Sequence, residues 1–133
     1  MLRSRGRGRG GSGGAFTPAS ISGLQLWLDA SDAATITQTA GAVSQWNDKS
    51  GNANHATQGV ALKQPSTNTR TINGRNVIDF DGLNDTMHIT LATIASITQG
   101  ASTSFIVSSY DAGTNFRQYA GESAALSQRF GFY

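Results

Sequence analysis

From residue 24 the chain alternates, with Leu24, Leu26 and Leu28 on one side of an extended segment and Gln25, Trp27 and Asp29 on the other. A period of two marks a half-buried strand, and the leucine face is the one predicted to be covered. VSQWND repeats the alternation, placing Trp46 on the face of Ser44 and Asp48, and Gly41 marks a turn between this stretch and the β-prone residues before it. KSGNANHATQ has the composition of a long loop, because Gly, Asn and Ser accept positive φ or cap their own backbone.

NVIDFDG reads as a short strand closed by Asp81-Gly82, and DTMHITL restarts the alternation with Met87, Ile89 and Leu91 on one face. The two are expected to form a hairpin-like pair around DGLND. TSFIVSSY is the most apolar β-prone run and is predicted to be a central strand, with NFRQYAG and QRFGFY as further strands. LATIASITQG has room for a turn or two of helix. Short strands at this spacing, separated by Gly and Asn turns, predict an all-β fold, either an antiparallel β-sandwich or a jelly roll. The alternation is still running at RFGFY, which leaves an apolar edge. The sandwich is therefore expected to be incomplete at its C-terminus, closed by further chain or by another subunit.

A length of 133 residues suits one core, and 38% hydrophobic with 14% charged residues leads us to expect a soluble protein rich in Ser, Thr, Ala, Asn and Gly. No run reaches the roughly 18 apolar residues of a membrane span, and the N-terminus lacks the apolar stretch of a secretory signal. With no cysteine there is no disulfide, thiolate metal site or Cys nucleophile. The net charge of +2 hides an asymmetry: Arg3, Arg5, Arg7 and Arg9 lie in the first 14 residues, and without them six basic residues face eight acidic ones. Residues 1–14 thus read as an extended Gly/Arg arm and residues 15–133 as the folded domain. The arm is either an electrostatic anchor or a solubilising leader. Its arginines have no interleaved aromatics for base stacking, which disfavours nucleic acid as the partner.

LQLWLDASD, VSQWNDKSGNANHATQ, NGRNVIDFDGLNDTM and SFIVSSYDAG, in this order, resemble the laminin-G-like, concanavalin-A-like lectin/glucanase domains found in tailed-phage virion proteins and bacterial surface proteins. The resemblance covers about residues 22–133. Its framework pattern falls on Trp27 and Asp29, then on Trp46, Asp48, Ser50, Gly51, Asn54 and Ala56, and finally on Phe80, Asp81, Gly82 and Asp85. Domains of that kind usually carry more strands after the RFGFY position. In such a domain the two Trp side chains serve packing more often than sugar stacking, with Asp29 and Asp48 as partners for their indole N–H groups.

The resemblance implies a non-enzymatic structural protein on the exterior of a phage particle, assembled in the host cytoplasm. It would be a capsid decoration, head-fibre or tail-fibre component held to other virion proteins by Arg3, Arg5, Arg7 and Arg9. Association as a homo-oligomer, a trimer among the options, fits such display. Its domain would present Trp46, Asn54, His55, Tyr110 and Tyr119 to host-surface glycans. Two competing readings are a carbohydrate-binding adhesion module of a bacterial surface protein and a fragment of a polysaccharide depolymerase. Hydrolysis needs two flanking carboxylates, from Asp29, Asp79, Asp81, Asp85 and Glu122, yet the tight acidic motif of the glucanases is missing and Glu122 is the sole Glu. His55 and His88 lie at no nucleophile spacing and read as ordinary polar positions.

Calcium is the one cofactor to weigh, since Asp79, Asp81, Asn84 and Asp85 supply oxygens within seven residues and Gly82 eases a sharp turn. The spacing is not that of an EF-hand, and a solvated hairpin turn is the competing reading. Laminin-G-like relatives sometimes hold calcium near loop ends.

Overall fold

A computed structural model of the chain describes residues 15–89, 103–109 and 131–132. The described strands are β1 (Ile36–Thr39), β2 (Ala42–Trp46), β3 (Ala56–Thr57), β4 (Ser66–Ile72), β5 (Arg75–Asp79), β6 (Met87–His88) and β7 (Gly131–Phe132). They form one antiparallel sheet in the order β5-β4-β2-β3-β6-β7, with β1 paired to β2 off this path. Short 3-10 turns at Pro18–Ser20, Ala33–Thr35 and Ala61–Lys63 are the described helical pieces. The all-β expectation therefore holds for the described residues. The arm at 1–14 and the stretches LATIASITQG and NFRQYAG lie outside them.

The predicted turn at Gly41 joins β1 to β2, with φ of 50° at Ala40 and 90° at Gly41. Two consecutive positive φ values define the turn whose twist suits a hairpin. Ala40 bears a cost there of about 1 kcal/mol because its Cβ crowds the left-handed backbone. Asn73 and Gly74 form the second such turn, between β4 and β5, with φ of 51° and 73°.

Strand β2 is the hub. β1 pairs with it from Ile36 opposite Trp46 to Thr39 opposite Ala42, but the register slips by one residue between Thr37 and Gln38, leaving Ser44 as an extra residue. This bulge reverses which side chains share a face. Val43, fully buried, and Trp46, three positions on, both meet the core, whereas strict alternation would have put Trp46 with Ser44. The other partners of β2 are β4, at Ala42 opposite Ser66, and β3, at Gln45 and Trp46 opposite Thr57 and Ala56.

Val43, Ala56, Met87 and Ile89 form the buried core, with Leu26, Leu28, Ile36, Trp46, Ile78 and Phe80 packed against it. The alternation of Met87 with Ile89 and of Leu26 with Leu28 is thus seen as predicted. Residues 24–28, however, belong to no strand ladder. They run extended beside the core and are held by other means, described below.

Two further expectations are corrected. β5 and β6 do not form a hairpin: β5 pairs with β4, and β6 pairs with β3 and β7, several strands away. Alternation identifies a strand's buried face but not its neighbour, and the Asn73-Gly74 turn captures β5 first. Residues 103–109 of TSFIVSSY form no strand and are exposed, Phe105 at 87% and Val107 at 100%. An apolar run sets strand propensity, yet a strand needs a ladder partner, and no described strand pairs with this segment.

Candidate functional site

The loop after β2 is organised by Asp48, which is 8% exposed. Its Oδ1 accepts the backbone N–H of Trp27 at 2.8 Å and of Ser50 at 2.8 Å. Its Oδ2 accepts the Ser50 hydroxyl at 2.6 Å and the Asn54 N–H at 3.1 Å. Burial pushes this carboxyl up, but the bonds from the Ser50 hydroxyl and from the Ser50, Trp27 and Asn54 amides outweigh it and hold the group below the usual carboxylate range. A buried charge is tolerated here because both oxygens are met by donors.

The same loop clasps residues 24–27 from the side. The Gln25 carbonyl accepts the Asn54 side-chain amide at 2.7 Å and, at 3.1 Å, shares with Asp48 the single proton of the Ser50 hydroxyl, and Asn52 donates to the Leu24 carbonyl at 2.8 Å. Lys49 N–H donates to the Trp27 carbonyl at 2.8 Å. Side chains, with the one backbone N–H of Lys49, thus supply the hydrogen bonds that a neighbouring strand would give. Asp48 N–H donates to Nδ1 of His55 at 3.0 Å, which fixes that nitrogen as an acceptor. Further on, buried Gln58 donates to the carbonyl and hydroxyl oxygens of Thr86 and accepts Val60 N–H. Asn54, Ala56 and Gln58 therefore tie this stretch to Gln25, to the core and to Thr86 in turn.

Outside this knot lies a second cluster. Lys49 Nζ donates to Asp29 Oδ2 at 3.0 Å and to Asp32 Oδ2 at 2.7 Å, and it stands 4.5 Å from the centroid of the Trp27 ring. Bonds donated to Asp32 and then to Asp29 hold the Lys49 ammonium above its ordinary range. The Ser31 hydroxyl lowers the Asp29 carboxyl, opposed by burial and assisted by Lys49. Trp27 faces this side because Leu26 and Leu28 take the core side.

Among the glycan candidates, Trp46 is packed inward on β2, while Asn54 and His55 take part in the knot. Tyr110 and Tyr119 lie outside the described residues, as do Arg3, Arg5, Arg7 and Arg9. Asp29 and Asp48 were expected to accept indole N–H groups, but the bond that Asp48 takes from Trp27 comes from its backbone N–H. Lys49 is the residue that sequence reasoning passed over. Its place between Asp48 and Ser50 in the motif was the available signal.

The candidate calcium residues form a self-capped loop. Asp81 Oδ1 accepts N–H groups of Leu83, Asn84 and Asp85 at 2.8, 3.2 and 3.3 Å, and Asp85 Oδ2 accepts Asp81 N–H at 2.9 Å. Burial raises the Asp85 carboxyl; the Asp81 N–H works against this, and the charges of Asp81 and Asp79 add to it. Asp79 faces Arg70 at 3.4 Å. Among the described residues no group of three or more His, Cys, Asp or Glu side chains is arranged to hold a metal ion, and no helix is long and apolar enough to cross a membrane.

Compared with family models, curated proteins and solved structures, the chain matches none.

Proposed function

We propose that this chain is a non-catalytic structural component of a tailed-phage virion, a capsid decoration, head-fibre or tail-fibre protein. Its domain is a concanavalin-A-like antiparallel sandwich of jelly-roll type that faces outward and takes host-surface glycans. Residues 1–14 tie it to other virion proteins through their arginines, and copies associate as a homo-oligomer.

The observation that carries this reading is the Asp48 knot. Trp27, Asp48, Ser50, Asn54 and Ala56, five of the residues that carry the lectin-like resemblance, lie together in and around the loop between β2 and β3, Asp48 bonding to Trp27, Ser50 and Asn54 and Ala56 lying in the core. Framework is the role the resemblance assigns them. The Asp48 carboxylate is committed to backbone N–H groups, and Asp29 and Asp32 are paired with Lys49. An apolar face gathered on one side of an antiparallel sheet is also what a second sheet covers in a sandwich.

The test is co-sedimentation of the full chain with phage particles lacking it. Binding by the wild type and loss on replacing Arg3, Arg5, Arg7 and Arg9 with Ala is the expected result. A chain that binds glycans but no particle would instead be an adhesion module, and release of reducing ends from host polysaccharide would make it a depolymerase fragment. A melting temperature raised by calcium would place that ion in the loop of Asp79, Asp81, Asn84 and Asp85.

A further inference from the structure

We propose that Trp27, Lys49 and Asp32 form a saccharide-binding subsite selective for neutral hexopyranoses. The inference rests on the glycan-binding part of the proposed function and names the place and the ligand class.

A pyranose is amphipathic, with C–H groups on its faces and hydroxyls around its rim. It is held by a fixed aromatic surface beside a few hydrogen-bonding groups in set positions. Trp27 supplies the surface. It is part-exposed, it points away from the core, and no described residue accepts a hydrogen bond from its indole N–H. Its backbone is pinned at both polar atoms, N–H to Asp48 and carbonyl to Lys49. Lys49 covers part of the ring and limits its rotation. Such prior fixing lowers the entropy lost on binding.

The polar groups stand around this ring. Asp32 accepts Lys49 on Oδ2 and Ala34 N–H, at 3.3 Å, on Oδ1, so each oxygen keeps a lone pair for a sugar hydroxyl. The ammonium of Lys49 gives two protons to Asp29 and Asp32 and has a third to donate. Asp29 is more fully engaged, by Ser31 on Oδ1 and Lys49 on Oδ2, and acts as the positioning residue for Lys49. One cation and two carboxylates leave the cluster net negative, which opposes uronic and other acidic sugars.

The Asn76 side chain donates to the Ala30 carbonyl at 3.1 Å and so fixes the turn carrying Asp29 and Asp32 against the β4–β5 hairpin. The subsite therefore comes from two separate parts of the chain, residues 27–32 and Lys49, with the β4–β5 hairpin as its support. By contrast Trp46 faces inward, and Asn54 and His55 are engaged in the knot.

The experiment uses the full chain on an array of neutral hexose oligosaccharides and their uronic-acid-bearing counterparts, with Trp27→Ala, Asp32→Asn, Tyr110→Ala and Tyr119→Ala. The Trp27→Ala backbone keeps its N–H for Asp48, and circular dichroism reports whether each variant folds. Expected is binding of neutral glycans by the wild type, weakened about tenfold or more by Trp27→Ala, less by Asp32→Asn, and unchanged by the tyrosine variants. A Trp46→Phe variant leaves Trp27 as the remaining tryptophan, and its emission is expected to shift on titration with the best-binding neutral oligosaccharide. Binding that survives both Trp27→Ala and Asp32→Asn, or an emission that does not move, would overturn the subsite while the glycan reading stands. Absence of wild-type binding to any glycan would remove both.

Discussion

Asp48 and Asp81 both gather backbone N–H groups on a carboxylate, but the groups come from different distances along the chain. Asp81 serves Leu83, Asn84 and Asp85, its immediate neighbours, on an exposed loop. Asp48 serves Ser50 and Asn54 nearby and also Trp27, twenty-one residues earlier, and it is buried. The first arrangement shapes a turn that water would otherwise solvate. The second joins two segments and takes the place of a strand ladder, so its loss exposes several donors to an interior with no substitute acceptor.

The sharpest way to break the comparison is Asp48→Ala. It leaves the N–H groups of Trp27, Ser50 and Asn54 without their acceptor, and a loss of about 3 kcal/mol or more is expected in urea unfolding. Equal destabilisation by Asp81→Ala would refute the distinction.

Acid should separate the two loops next. Asp48 has a lowered folded pKa, so its stabilising contribution is complete above the unfolded carboxylate value and is lost as pH falls through the lowered one. Asp85 has a raised folded pKa, so its contribution is present below the unfolded value and is lost as pH rises through the raised one. Melting curves across this range should therefore show a flatter acid limb in Asp48→Asn, and Asp85→Asn should improve stability near neutral pH relative to its effect in acid. Parallel curves for wild type and both variants would contradict the assignment.

Asp81→Ala comes after these, at about 1 kcal/mol, since its amides can turn to solvent. The smallest expected change is that of Asp85→Asn at neutral pH, within about 0.5 kcal/mol of wild type. The amide oxygen still accepts Asp81 N–H, and repulsion from Asp79 and Asp81 is relieved.

Legibility in the sequence followed the range of the interaction. Leu26 with Leu28 and Met87 with Ile89 were readable because burial of alternate side chains is a local pattern, and the Gly41 turn was readable because positive φ is a local demand. β4 was not, since STNTRTI has no apolar alternation; Asn73-Gly74, a strong hairpin signal between two β-prone runs, would have revealed it. The Ser44 bulge, which decides where Trp46 points, has no local signature. KSGNANHATQ was readable as a loop from its composition, but its role as a clasp depends on carbonyls of Leu24 and Gln25 that only the fold brings near. For the same reason Trp46, Asn54 and His55 looked available to a ligand, whereas the Trp27 and Lys49 pair went unnoticed.

The clasp also sets where this protein can change over generations. A strand ladder is made by backbone atoms and survives most exchanges of side chain, so β4, rich in threonine and exposed along much of its length, is free to drift. Residues 24–27 are held mainly by the particular side chains of Asp48, Ser50, Asn52 and Asn54, with one backbone bond from Lys49. Between these two described segments the usual order of tolerance is therefore inverted: the clasping loop is less tolerant of variation than a strand of the sheet.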